Sequence, residues 1–172
     1  MIFLFFRPLL FMAEGEIFLE PRVYTLVYVI QGDKVLLIRK KRGFGEGYYN
    51  GPGGKVRWDE TLQEAAIREF QEELCASPGP LEWRGVLEFY NNNRLEMIVH
   101  VFIAESYGGE LCESDEAEPH WFGTDEIPYD NMWRDDRYWF PLLLAGKRFY
   151  GRFWFRDWKE IIDYRLYKLE NP

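Results

Sequence analysis

From Gly43 to Lys55 the chain reads GFGEGYYNGPGGK, six glycines and one proline set between a strand-like stretch and a helix-like one. Such a run resists regular structure but lets the backbone approach a ligand closely, which predicts a functional loop. Its flanks restrict the fold. Upstream, RVYTLVYVI from Arg22, the turn Gln31, Gly32 and Asp33, and then KVLLIRK are rich in β-branched and aromatic residues and predict a β-hairpin. Downstream, DETLQEAAIREFQEEL from Asp59 to Leu74 places Leu62, Ala65, Ala66, Phe70 and Leu74 near helical spacing. Asp59 or Thr61 would cap that helix, and Ser77, Pro78 and Gly79 would end it. Further strands are expected around 84–90, 96–104, 147–156 and 161–168, with a second helix near Tyr138 to Ala145. No repeat or linker interrupts residues 22–172, so they predict a single α+β domain.

The length of 172 residues is enough for one core without staples. No run approaches the roughly 18 apolar residues of a membrane span, so no membrane partner is expected. Lys and Arg number 21 against 29 Asp and Glu, and the resulting charge of -8 repels a nucleic acid polymer. A small phosphorylated ligand stays compatible if a cation bridges it. Cys75 and Cys112 stand far apart with no CxxC pair, which argues against a disulfide or thiolate zinc site and fits a reducing, cytoplasmic location, with mitochondrial or nuclear nucleotide pools as alternatives. His100 and His120 are isolated, so histidine-based hydrolysis loses ground. Aromatic residues reach 19%, which suits an aromatic β core, with some rings free to form a slot for a nucleobase. Residues 1–12, MIFLFFRPLLFM, are apolar but broken by Arg7 and Pro8, without the flanks of a secretory signal or the Arg and Ser of a mitochondrial presequence. Residues 1–21 therefore read as an extension outside the core, with Met12 as an alternative start. A monomer is the default expectation.

At about 100° per residue, Glu69, Glu72 and Glu73 share a sector of about 100° on the first helix. Their mutual repulsion favours a cation, and such hard oxygen ligands suit Mg²⁺, with Mn²⁺ as the alternative. On the helix alone a solvated charged face is the plainer reading. It weakens beside Gly51, Gly53, Gly54 and Lys55, which can offer backbone groups and a positive charge to phosphates. The loop is neither a Walker A motif nor GxGxxG.

Gly54, five residues, Glu60, seven residues, then Arg68, Glu69, Phe70, one residue, Glu72 and Glu73 resemble the Nudix box, GX5EX7REUXEEXGU, with Cys75 and Ala76 departing at its last two fixed positions. The resemblance runs from about Arg22 to Leu169 and is nearest the animal MutT-homologue type, the oxidised purine nucleoside triphosphatases. YTLV at 24–27, KKRGFG at 40–45, NG at 50 and 51, GGKV at 53–56, ESDE at 113–116, and MW, DD and YWFPLLL between 132 and 144 carry it. Pro52 and Arg134 sit inside matching stretches where that family usually has Phe and Pro.

The resemblance implies a Nudix α/β/α sandwich with a mixed β-sheet and the box as loop, helix and loop. It implies Mg²⁺ held by Glu69, Glu72 and Glu73, aided by the Gly53 carbonyl and Glu116, and water attack at the α-phosphorus of substrates such as 8-oxo-dGTP or 2-hydroxy-dATP. Glu73 or another of these carboxylates would take the proton, and Arg68 would orient Glu60 and the helix, with a phosphate clamp as its alternative role. Base recognition would fall to Asn50, Asp135 and Asp136, with Trp133 and Phe44 as walls and Thr25 and Lys40 nearby. Pro52, Gly53, Gly54, Lys55, Phe89 and Arg134 complete the implied substrate contacts. Adjacent acids can meet different purine edges by shifting one proton, because only a protonated carboxyl donates. The alternatives are a Nudix hydrolase of ADP-ribose or a dinucleoside polyphosphate, or a catalytically silent nucleotide-binding module.

Overall fold

Period-two alternation in the first long strand decides which residues face which layer of the domain. The computed structural model describes residues 11–13, 16–18 and 20–170. In chain order the strands and helices are β1 (Phe11–Ala13), β2 (Glu16–Phe18), β3 (Arg22–Gln31), β4 (Lys34–Lys40), β5 (Tyr49–Asn50), β6 (Gly53–Lys55), α1 (Leu62–Leu74), β7 (Ser77–Pro78), β8 (Glu82–Asn91), β9 (Arg94–Ala104), β10 (Tyr107–Gly108), β11 (Ala117–Gly123), α2 (Asp136–Leu144), β12 (Arg148–Arg156) and β13 (Glu160–Leu169). Expectations for residues 1–12 lie outside the described residues, except that the backbone of Phe11 and Met12 belongs to β1, which pairs with β2.

The main sheet runs β11-β4-β3-β9-β8-β12-β13, with β5 added beside β4 and β6 beside β3. It is mixed, because β3 pairs with β9 and β8 with β12 in parallel while the remaining neighbours are antiparallel. Val27 and Val29 of β3 face α1, where Ala66, Phe70 and Leu74 pack with Leu36, Ile38 and Phe102. Tyr28, between them, faces the other way, toward Trp139, Phe140 and Leu143 of α2 and the core of Val35, Leu37, Leu87, Phe149 and Phe153. Each fully buried large side chain contributes roughly 1.5–3 kcal/mol of hydrophobic stabilisation. The result is a helix on each face of one sheet, which agrees with the α/β/α expectation.

Two expectations need correction. The glycine-rich stretch is not loop throughout, because Tyr49 and Asn50 pair with Arg39 and Ile38, and Gly53 to Lys55 pair with Leu26 to Tyr24. Tertiary partners supply ladder hydrogen bonds that outweigh the weak strand propensity of glycine. Cys75 and Cys112 are not separate either; their Cα atoms lie 5.5 Å apart and the residues form a disulfide. The chain turns back at Cys75, which ends α1 in the left-handed region at φ 62°, and the Cys112 amide donates to the Leu74 carbonyl at 2.9 Å, bringing the two together. Strand β11, absent from the sequence expectations, covers the outer edge of β4.

Candidate active site

Local chemistry fixes the start of α1 and with it the direction of its carboxylates. Thr61 Oγ1 accepts from the Glu64 amide at 3.2 Å while Glu64 Oε2 accepts from the Thr61 amide at 2.7 Å. This reciprocal cap satisfies two otherwise free helix donors and stabilises the terminus by about 1 kcal/mol. Of the two expected caps, Thr61 serves and Asp59 lies outside the helix.

Arg68 organises the acids that follow. Its Nε and Nη2 donate to the two carboxylate oxygens of Glu60 at 2.9 and 2.6 Å, and Nη1 donates to Glu69 at 2.5 Å and to Glu72 at 3.3 Å. Its Nη2 also reaches the Lys55 carbonyl at 3.1 Å, tying helix to loop. Those hydrogen bonds hold the Glu60 carboxyl down to about 2, while Arg68, bonded to Glu60, is held more firmly protonated than usual. Burial has the opposite effect deeper in: it pushes Glu69 up despite Arg68, and it pushes Glu73 up to about 8 although the Gly53 amide donates to Glu73 Oε2 at 3.2 Å. The charge of Glu69 adds to the rise at Glu73.

Loop and helix meet without room for a side chain. A Cβ on Gly54 would lie 2.4 Å from Glu69 Cδ, so glycine there is a steric requirement of the carboxylate's position. Glu116 approaches from another part of the chain. Its amide donates to Ser114 Oγ at 3.2 Å, its carbonyl accepts from the Lys41 amide at 2.9 Å, and its carboxylate pairs with Arg42. Its charge contributes to the upward shifts of Glu69 and Glu73. Among the described residues no three acidic, histidine or cysteine side chains already stand in a metal-ligating cluster. The donor chemistry nevertheless fits a hard divalent cation, since a half-buried Glu69 and a buried Glu73 each penalise ionisation until positive charge is added.

Glu73 opens into a cavity of about 220 Å³ that is also lined by Thr25, Lys40, Phe44, Asn50, Gly53, Gly54, Phe89, Trp133, Asp135 and Asp136. Phe44 stacks on Trp133 with ring centroids 4.6 Å apart, and Tyr48 meets Trp133 edge-on at 5.1 Å. Beneath these rings Asp135 and Asp136 are each 3% exposed and make no ion pair among the described residues. Trp139 Nε1 donates to Asp135 Oδ2 at 2.9 Å, whereas Asp136 Oδ2 and the Thr25 hydroxyl are buried without a hydrogen-bond partner. Burial raises Asp135 to about 6, and burial together with the Asp135 charge raises Asp136 well above the ordinary carboxylate value. Two adjacent buried acids whose ionisation is opposed in this way can share one proton, which sets a donor beside an acceptor.

The structure does not gather every expected residue into this cavity. Glu72 is exposed on α1 beside Arg57 at 3.7 Å, and Lys55 is exposed at the end of β6. Pro52 is buried with its carbonyl accepting from the Val27 amide at 2.8 Å, and Arg134 lines a separate surface groove with Arg137 and Tyr138. Neither histidine lines the cavity: His100 Nδ1 accepts from Trp83 at 3.1 Å, and His120 lies beside Glu118 at 3.2 Å. Sequence reading missed Tyr48 and Trp158 as lining residues. Trp158 occupies the β12–β13 turn with φ 55°, a costly backbone for a bulky residue, and its ring meets Phe44 edge-on at 5.4 Å. Its signal was the short turn Asp157-Trp158 between aromatic strands.

A family model for the NUDIX domain matches residues 20–143. The chain is 45% identical over 151 residues to curated proteins of Danio rerio and Mus musculus, each called an oxidized purine nucleoside triphosphate hydrolase, covering 87% of this chain and 97% of each relative. Among solved structures, a MutT protein from Bacillus halodurans superposes with a TM-score of 0.75 at 28% identity, over 84% of this chain and 97% of that one.

Proposed function

The chain belongs to the Nudix family, and from that premise we propose that it hydrolyses oxidised purine nucleoside triphosphates to the monophosphate and pyrophosphate, removing damaged precursors from the nucleotide pool. The observation that carries this reading is one cavity lined by both the box glutamate Glu73 and an aromatic-walled pair of buried acids, Asp135 and Asp136. A purine lying against the stacked Phe44 and Trp133 rings would meet Asp136 as donor and Asp135 as acceptor, which turns an uncompensated buried pair into satisfied hydrogen bonds.

Glu69, Glu72, Glu73 and Glu116, with the Gly53 carbonyl, would hold Mg²⁺, and Mn²⁺ satisfies the same donor chemistry. Such an ion supplies charge neutralisation for the triphosphate and acidity for an attacking water. Arg68 positions: by neutralising Glu60 and bonding Glu69 it holds the helix against the loop, and it has no free fork left for a phosphate clamp. Lys40, on the cavity wall, would face the phosphate chain. The carboxylate of Glu73, fixed by the Gly53 amide, would accept the proton from water as it attacks the α-phosphorus. The aromatic rings keep bulk water off the base edge, so that its hydrogen bonds are formed in a low dielectric.

The test is chromatographic measurement of the nucleoside monophosphate formed from 8-oxo-dGTP, 2-hydroxy-dATP, dGTP, ADP-ribose and a dinucleoside polyphosphate, each with and without EDTA. Preference for the oxidised triphosphates and loss of turnover in EDTA are expected. Faster hydrolysis of ADP-ribose would reassign the substrate, and full activity in EDTA would remove the metal.

A further inference from the structure

We infer that Tyr28, which does not line the cavity, fixes the Asn50 side chain as a pure hydrogen-bond donor and thereby selects which base edge the pocket accepts; this rests on reading the cavity as a base pocket. Tyr28 is fully buried in β3, and its hydroxyl lies 2.8 Å from Asn50 Oδ1. The Gly51 amide nitrogen lies 2.8 Å from the same atom. The two ends of a side-chain amide have nearly the same shape, so partners decide which is which. A backbone N–H only donates, so the atom it meets is the carbonyl oxygen. A phenol bonded to that oxygen must donate as well. Both lone pairs of Oδ1 are then engaged within the protein, and what Asn50 has left for a ligand is the two N–H groups of Nδ2.

Tyr28 is held in place for this contact. Its ring makes edge contacts with Trp139 and Phe140, with centroids 6.0 and 4.9 Å apart. A Cβ at residue 51 would come within 2.8 Å of Tyr28 Cζ, so Gly51 is what lets the phenol lie under the amide. The donor-only Asn50 favours a base that presents a carbonyl oxygen or an unprotonated ring nitrogen at that point. A base presenting an exocyclic amino group there would set donor against donor. Asp135 and Asp136 can move a proton between them, but Asn50 cannot invert while Tyr28 holds it. Tyr28 is therefore a positioning residue for base choice.

The experiment compares wild type, Tyr28→Phe, Asn50→Ala and the double variant for kcat and KM on an oxidised guanine and an oxidised adenine nucleoside triphosphate, with melting temperatures alongside. Tyr28→Phe keeps the ring packing and removes the hydroxyl. The expected result is a change of about fivefold or more in the ratio of kcat/KM between the two bases, the scale of one lost neutral hydrogen bond, carried by KM with kcat within about twofold. With Asn50 already replaced by Ala, adding Tyr28→Phe should leave that ratio unchanged, because the phenol acts only through the amide. An unaltered ratio in Tyr28→Phe, or the same change with and without Asn50, would overturn the inference while leaving the proposed function intact. Absence of wild-type turnover on both nucleotides would overturn the proposed function and this inference with it.

Discussion

The acids of α1 and the acids at the start of α2 meet the same problem, negative charge out of water, with opposite solutions. On α1, Arg68 bonds Glu60, Glu69 and Glu72, and Arg57 stands near Glu72, so much of the cluster is compensated before any ligand arrives. At α2 no cation pairs with Asp135 or Asp136 among the described residues; Asp135 accepts a Trp139 N–H, and burial opposes ionisation of both acids. The first arrangement compensates Glu60 from within and leaves Glu69 and Glu73 to be relieved by an added cation. The second opposes ionisation, the condition under which a carboxyl can donate a hydrogen bond. A carboxylate's role in this protein thus follows from its neighbours rather than its residue type.

Breaking the first region should have the largest consequence. Glu73→Gln is expected to lower kcat at least about 100-fold, the usual scale for losing a general base. Far-UV circular dichroism should stay unchanged, because the buried amide still accepts from the Gly53 amide. A rate near that of wild type would take Glu73 out of the chemistry.

Breaking the second region should redirect rather than abolish activity. Asp135→Asn and Asp136→Asn replace a proton-sharing acid by a fixed amide. Each mispaired buried hydrogen bond costs about 1–3 kcal/mol, which corresponds to roughly 5- to 150-fold in kcat/KM for the disfavoured base. Steady-state kinetics on an oxidised guanine and an oxidised adenine nucleotide read the ratio. An equal loss on both would make the pair structural.

Arg68 sharpens the comparison through stability. Arg68→Lys gives up the two-pronged bond to Glu60 and should cost about 1.5–3 kcal/mol in denaturant unfolding at pH 7. Glu60 is depressed to about 2, so the stability it contributes is present above the ordinary value of 4.5 and is lost as pH falls toward 2. The gap between wild type and Arg68→Lys should therefore narrow over that range.

The smallest effect expected is a change of a few-fold in base preference with pH. Asp135 titrates at about 6, raised from 3.8 by burial. The stability its neutral form contributes is fully present below 3.8 and is lost as pH rises through about 6. Over the same interval the Asp135 carboxyl passes from donor to acceptor. The ratio of the two activities should move between pH 5 and 7 in wild type and stay flat in Asp135→Asn.

What the sequence made legible was whatever is local along the chain. The carboxylates of α1 fall on one face by helical spacing, and Thr61 with Glu64 announces the cap three residues apart. The hairpin of β3 and β4 is likewise continuous in sequence. Contacts that depend on a distant partner were not legible. Gly53 to Lys55 become a strand only because β3 offers an open edge, and Cys75 meets Cys112 only because α1 ends in a left-handed turn. The bond from Tyr28 to Asn50 joins residues 22 apart across two strands, and no spacing rule anticipates it. Pro52 and Arg134, carried over from matching stretches, stand outside the cavity, because adjacency in a motif does not decide where a side chain faces.

Metal activation curves would test the division of labour between the two regions most directly. Initial rates on 8-oxo-dGTP are measured against Mg²⁺ concentration for wild type, Glu69→Gln and Asp136→Asn. Glu69→Gln should move the activation midpoint upward by about tenfold or more, since a lost carboxylate ligand weakens a hard-cation site, while Asp136→Asn should keep the wild-type midpoint and change only the preference between bases. A shift of the midpoint in Asp136→Asn, or an unmoved midpoint in Glu69→Gln, would contradict that division.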